Sequence, residues 1–522
     1  MNKNKFFQNA LMLVFSTFAM RLVFTAFRVV ISNKVGAECM GLFQLTFAVY
    51  NISVTFATSG INFATTRLVT QALSKSKLGA AKKVMSLAVV YSLVFGFAAF
   101  FAVFFLAEPI GVNLLCDVRS VLSLKTFAIS LPFISVSSAV SGYFYATRKV
   151  GATLASRAFE QGIQIVSFFA IMHFVPAQNI ELSCCAIVAS SAVSEILSAV
   201  FLMVKFCFDN RRIKSQKQKG MAKNLCAVAL SSALAAYLKS GLQTVENILI
   251  PIGFRKYGAS ASDALAGYGI LCSMVMPVIF FPSFVLSSFS MLLIPEFTEA
   301  QTLNKKADIR SAAMISVRLT LLFSLFVSAI FIVFGQQIGG ALYSEERAGP
   351  LIKIMAPLIP FMYLDSIADG MLKGLGEYNR VIKYSTIDTV LSIALIYFLL
   401  PKMGLYGYVV VIYVSTILNA FLSIRRLLKV SGNRISFFSD IVVPFASSLF
   451  SGVTAKSLSK ALFTQKNTVG LIIMICFSVC LLAVFIFVSH GKMYDTVMYA
   501  LSTVKALLPK SNFKKLRRIN NN

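Results

Sequence analysis

Hydrophobic runs of roughly twenty residues alternate with short polar gaps along this chain, and about fourteen of them are long enough to cross a bilayer core as helix. The predicted spans are 6–32, 40–71, 84–107, 121–146, 154–175, 182–206, 225–252, 264–298, 311–335, 350–374, 381–400, 404–428, 437–462 and 468–489. Lys and Arg crowd every second gap. Lys75, Lys77, Lys82 and Lys83 follow the second span, Arg148, Lys149 and Arg157 the fourth, and Lys305, Lys306 and Arg310 the eighth. Positive loops stay in the cytoplasm, so an even span number predicts both termini there. The expectation is an all-α polytopic protein of the cell membrane. The first run carries Arg21 and Arg28 and lacks a small-residue cleavage site, so it reads as an uncleaved span rather than a signal peptide.

Composition agrees: 57% of the 522 residues are hydrophobic and 13% charged, well under the ~25% usual in soluble domains. A net charge of +29 would suit nucleic acid, but the basic residues sit in loops between spans. Anionic membrane lipids are therefore the expected partner, and no nucleic acid is expected. Nine cysteines form no paired framework, and two histidines argue against a metal site built of imidazoles. There is no Walker loop, no credible Ser/His/Asp set and no large outer loop, and Cys476 and Cys480 lie in an apolar run. An enzyme is not expected.

The chain divides at its longest basic stretch. Residues 1–208 read as an N-terminal six-helix lobe, 209–222 as a cytoplasmic linker and 223–430 as a C-terminal six-helix lobe. Helices thirteen and fourteen follow over 431–490, and 491–522 reads as an amphipathic, basic tail on the inner leaflet. The lobes look like copies. A shift of 228 residues lays Gly41 on Gly269, Gly142 on Gly370, Thr70 on Thr298 and Glu160 on Asp388. Duplication of this kind is common in transporters.

Four stretches carry a family resemblance. They are Gly36-Ala-Glu-Cys-Met-Gly41, Ser59-Gly-Ile-Asn-Phe-Ala-Thr-Thr-Arg67, the Glu160-Gln161 pair, and Ala266-Gly-Tyr-Gly269 with Met276-Pro-Val-Ile-Phe-Phe-Pro282 and Leu293-Ile-Pro-Glu296. Together they resemble the multidrug/oligosaccharidyl-lipid/polysaccharide exporter superfamily, especially its stage V sporulation protein B-like polysaccharide branch. Cys39 stands where the first motif customarily has Gly, and Gln164 where this branch often has Arg. The resemblance implies two six-helix lobes in a V, alternating access, and a groove for a lipid tail formed by helices thirteen and fourteen.

Ionisable groups within spans are costly and usually face a cavity or a partner. Arg21 and Arg28 are seven apart, on one helical face, and with Arg67 they would make a cationic pocket whose fork-shaped donors suit phosphate. The alternative is that Arg28 and Arg67 snorkel to headgroups. Lys239 and Glu246 also share a face and either look into the cavity or pair with a neighbouring span. Glu160, Asp388, Asp365 and Asp369 are the ion-coupling candidates. No cofactor is expected apart from Na+ or H+ as the coupling ion. Pro277, Pro282 and Pro295 make span eight the candidate moving part.

The resulting expectation is a flippase. Its substrate would be a polyprenyl-pyrophosphate-linked oligosaccharide or peptidoglycan-type precursor, with Arg21, Arg28, Arg67, Lys239 and Glu246 on the substrate and envelope-synthesis proteins as candidate partners. The rivals are a cation-coupled multidrug exporter on the same fold and a non-transporting envelope-synthesis scaffold.

Overall fold

The computed structural model of the protein describes residues 3–74, 78–176, 179–209, 221–284, 286, 297–298, 300–303, 305–433 and 438–462. The fourteenth span, the basic tail, most of the linker, and Leu293 to Glu296 with Pro295 lie outside the described residues. Those described are helical almost throughout, with no strand among them.

The long apolar runs fold as expected, and glycine sets where they turn. Helix α1 (Lys3–Thr58) covers the first span and most of the second and bends at Gly36, whose φ of 81° no side-chain-bearing residue adopts cheaply. Helix α2 (Ile61–Ser74) completes the second span. The predicted run 40–71 is thus broken, at Ser59 (φ 42°) and Gly60 (φ 71°). Freed backbone groups inside a membrane need partners, and Tyr91 donates to the Ser59 carbonyl at 3.2 Å and to its Oγ at 3.0 Å. Tyr237 joins the same hydroxyl at 2.6 Å.

Helices α3 (Leu78–Pro109), α4 (Ser120–Ala146), α5 (Val150–Met172), α6 (Ile180–Asp209) and α7 (Met221–Lys256) follow in order. The eighth span is irregular. After α8 (Ala261–Gly269), capped by Ser260 accepting from the Asp263 N–H, comes a π-turn (Ile270–Val275) and then the short α9 (Met276–Phe280). Further on lie α10 (Lys306–Leu342), α11 (Ala348–Met355), α12 (Ile359–Gly374), α13 (Tyr378–Ser431) and α14 (Val443–Leu462). A 3-10 turn at Ala356–Leu358 divides the predicted tenth span into α11 and α12. Helix α13 bends at Gly404 (φ 56°) and so carries spans eleven and twelve.

Nine helices among the described residues are long and apolar enough to cross a membrane. The difference from fourteen has five sources: Gly36 and Gly404 each join two spans into one helix, α5 is too polar to qualify, the apolar stretch Asp440–Thr454 leading through α14 is short, and the fourteenth span lies outside the described residues.

Packing groups the chain into two compact units. The first comprises Met20–Met274 and Thr389–Val411. Its core brings Met85, Ala88, Tyr91, Val140, Phe144 and Leu225 together from α3, α4 and α7. Small residues allow the closest approaches, as is usual between membrane helices. A Cβ on Gly269 would overlap the Ala37 carbonyl and lie 2.7 Å from the Gly41 N, and one on Gly41 would overlap the Leu265 carbonyl. The two glycines that the repeat relates therefore meet each other. The second unit comprises Met1–Ala19, Val275–Asp388 and Ile412–Asn522. There the fully buried Tyr363 donates to the Ile279 carbonyl at 2.7 Å, and Ser328 donates to the Ala356 carbonyl at the 3-10 turn at 2.9 Å.

Candidate functional site

The predicted site residues divide between the units. In the first, Arg28 is half-buried on α1, with its guanidinium 5.8 Å from the Phe24 ring one turn earlier. Its charge and that of Glu246, half-buried on α7, both reach the Cys272 thiol in the π-turn of span eight. The Glu246 charge also acts on Tyr268 and Tyr408. Gln44 donates to the Cys272 carbonyl at 3.3 Å and Tyr268 to Asn247 at 3.0 Å. Residues from spans one, seven and eight thus share one polar locale around an irregular turn, and π-turns concentrate at functional positions. Arg21 is exposed on α1, one residue after the Met20 carbonyl that accepts from Gln161 Nε2 at 2.8 Å. Arg67 and Lys239 are exposed, on α2 beyond the Ser59–Gly60 break and on α7.

Glu160, half-buried on α5, lies near Ser198 and feels the charge of Arg157. It also acts electrostatically on Glu195. Glu195 accepts a 2.6 Å bond from Tyr50, whose hydroxyl lies 2.9 Å from Ser130 and whose ring stacks on Phe127 at 4.0 Å. Glu195 is visible in the sequence as a carboxylate in an apolar run. Tyr50 and Ser130, 145 and 80 residues from their partners, are not.

The remaining acidic candidates form a ladder in the second unit. Asp388 accepts from Ser415 at 2.6 Å, Asp365 from Asn419 Nδ2 at 2.8 Å and Asp369 from Ser423 at 3.3 Å. Lys373 stands 3.8 Å from Asp369. The donors recur every four residues on α13 and so share one face. The Asp365 Oδ1 and Asn419 Oδ1 atoms are buried without a hydrogen-bond partner among the described residues, and such oxygens call for a ligand or a proton. No group of three or more His, Cys, Asp or Glu residues that could hold a metal ion occurs among the described residues.

Contacts of equal sequence separation recur in the two halves. Thr126 approaches Cys185 at 3.5 Å, and Tyr413 donates to Ile354 at the same separation of 59 residues. Gln164 bonds Ser191 at 2.8 Å, and Asp388 bonds Ser415, both pairs 27 residues apart. The first two pairs are related by the 228-residue shift that lays Glu160 on Asp388, and the second two by a shift of 224.

A further cluster lies where the first and second, third and fourth, and seventh and eighth spans connect. Arg119 grips Asp117 through two bonds of 3.0 and 2.8 Å and reaches Glu38 at 2.8 Å, while Ser262 donates to the other Glu38 oxygen at 2.6 Å. Arg255 donates to the Cys116 carbonyl at 2.9 Å. The Asp117 bonds first, and those of Glu38 next, hold the Arg119 guanidinium above even its ordinary range. Glu38 belongs to the Gly-Ala-Glu motif, but nothing local in the sequence names its partners.

Comparison with known proteins follows the same lines. The sequence pattern of the family described as polysaccharide biosynthesis protein matches residues 6–301, and that of MatE matches residues 235–398. Stage V sporulation protein B of Bacillus subtilis (strain 168) is 25% identical over 444 residues, covering 82% of this chain and 85% of that protein. Lipid II flippase MurJ of the same organism is 21% identical over 463 residues, covering 81% and 83%. A solved structure of lipid II flippase MurJ in an inward closed conformation superposes with a TM-score of 0.69 at 12% identity, covering 91% of this chain and 98% of that one.

Proposed function

The chain belongs to the polysaccharide biosynthesis protein family, and from that premise we propose that it flips a polyprenyl-pyrophosphate-linked oligosaccharide or peptidoglycan-type precursor from the inner to the outer leaflet by alternating access. The coarser statement needs no proposal: this is a multi-pass membrane transporter of the multidrug/oligosaccharidyl-lipid/polysaccharide exporter superfamily, and it is not an enzyme. The finer reading takes fourteen spans in two six-helix lobes with two further helices, both termini in the cytoplasm, and a lipid-linked glycan as substrate.

The observation that carries it is the placement of Arg28. A half-buried guanidinium on a membrane helix, sharing the Cys272 locale with Glu246, is a strong diphosphate donor kept out of bulk water. Arg21 and Arg67 would extend the donor set along the substrate's path, with Lys239 and Glu246 on the facing helix. The ladder of Asp388, Asp365 and Asp369 is the candidate for the coupling ion, because its orphaned oxygens would suit Na+ or a proton; Glu160 is the alternative.

Equilibrium binding of a radiolabelled polyprenyl-pyrophosphate sugar to the purified protein tests this. Arg28→Ala should weaken it tenfold or more, since a charge-assisted bidentate contact contributes about 1.5–3 kcal/mol. Undiminished binding with Arg28→Ala, or tight binding of cationic amphiphiles instead, would favour the multidrug reading.

A further inference from the structure

Cys39 and Cys184 lie at the same end of the first unit as the Glu38 cluster, Cys39 three residues past the Gly36 bend and Cys184 in the first turns of α6. Both side chains are buried, at 1% and 0% exposure. The Cys39 Sγ sits 3.8 Å from the Ile180 carbonyl, 141 residues along the chain. In a helix the Cα–Cβ bond tilts toward the N-terminus, so the side chain four residues on hangs over that carbonyl. That residue is Cys184, so the two buried thiols lie side by side. Its neighbour Cys185 turns instead to Thr126, at 3.5 Å. Where the related motif carries Gly, this chain therefore carries a buried thiol beside a second one.

We infer that Cys39 and Cys184 are a redox pair whose oxidation joins the two sulfurs and staples the start of span two to span six. Neighbouring thiols close to the S–S length of about 2.05 Å when their Cα atoms stand within about 7 Å. The oxidant is a small disulfide. One cysteine attacks it, releasing one small thiol and leaving a mixed disulfide. The second cysteine then displaces the other small thiol, so the oxidant takes up both electrons and both protons. Burial makes exchange wait for local opening. Glu38 precedes Cys39 in the chain, so opening that uncovers the pair disturbs the bonds to Arg119 and Ser262.

The test uses the full-length protein, reduced, freed of reductant and incubated with oxidised glutathione. Remaining thiols are alkylated in denaturant, and unreduced peptides are analysed by mass spectrometry. The expected result is a Cys39–Cys184 linked peptide that lacks two hydrogens and disappears on reduction. In Cys39→Gly, which installs the residue of the related motif, Cys184 should be alkylated in full. Alkylation of both cysteines in the wild type, under conditions where exposed Cys116 has become glutathionylated, would overturn the inference. So would a link from Cys39 to any other cysteine.

Discussion

Glu38 and Ser262 share a 2.6 Å hydrogen bond across 224 residues of chain, and the second oxygen of the same carboxylate carries Arg119. One side chain therefore ties the bend between spans one and two to the start of α8 and to the entry of α4. Removing Arg119 leaves Glu38 and Asp117 without their counter-charge, whereas removing Glu38 leaves Arg119 held by Asp117 alone. In a double-mutant cycle of Glu38→Ala and Arg119→Ala, followed by thermal unfolding in detergent, a coupling of about 1 kcal/mol is expected. The pair is roughly a quarter exposed, which holds the figure at the upper end of surface ion pairs. Strict additivity of the two variants would contradict the cluster.

Arg318 on α10 meets Asp440, just before α14, at 3.1 Å, with the carboxylate 4% exposed. The pair fastens the thirteenth helix to the ninth span. Arg318→Ala should cost about 3 kcal/mol, because breaking a buried pair strands the remaining charge. The exchange of Arg318→Asp with Asp440→Arg should recover part of that loss in the same unfolding measurement.

Asp365 has one oxygen bonded to Asn419 and the other orphaned, whereas Asp369 is served by Ser423 and by nearby Lys373. Transport assayed across Na+ and proton gradients should therefore lose its ion dependence in Asp365→Asn. Ser423→Ala, which removes only a long 3.3 Å bond to Asp369, should change the rate by no more than about fivefold, the equivalent of about 1 kcal/mol. An Asp365→Asn protein with unaltered ion dependence would exclude this carboxylate as the coupling site.

Two glycine-to-alanine changes should have opposite signs. Gly269→Ala places a methyl group against the Ala37 carbonyl and Gly41, and overpacking of this kind costs about 1–3 kcal/mol. Gly162 lies within α5 with nothing within 4 Å of its Cβ position, so Gly162→Ala should gain about 0.5–1 kcal/mol from helix propensity. Thermal midpoints of the two variants check both directions at once.

Hydropathy and alternating charge made most of the membrane helices legible, because crossing a bilayer imposes length and composition on each span. Span five shows the limit. Arg157, Glu160, Gln161 and Gln164 make α5 too polar to qualify by hydropathy, yet its packing on α6 and the Gln161–Met20 bond hold it in the unit. The break at Ser59–Gly60 was present in a quoted motif, but its support from Tyr91 and Tyr237 depends on residues 32 and 178 positions away. Intramembrane charges were readable one by one. Their partners were not, since Glu195 finds Tyr50, Asp388 finds Ser415, and Glu38 finds Arg119 and Ser262 through the fold. Local sequence records the cost of a buried charge and leaves the identity of what offsets it to tertiary structure.

The most direct test of the central claim is translocation itself. The purified protein would be reconstituted in liposomes and the crossing of a fluorescent polyprenyl-pyrophosphate sugar followed for wild type, Arg21→Ala and Arg28→Ala, with thermal unfolding confirming the fold of each. The account predicts transport by the wild type and at least a tenfold loss in Arg28→Ala, from the same charge-assisted contact to the diphosphate. Failure of the wild type to move the lipid while it expels a cationic dye along an ion gradient would contradict it.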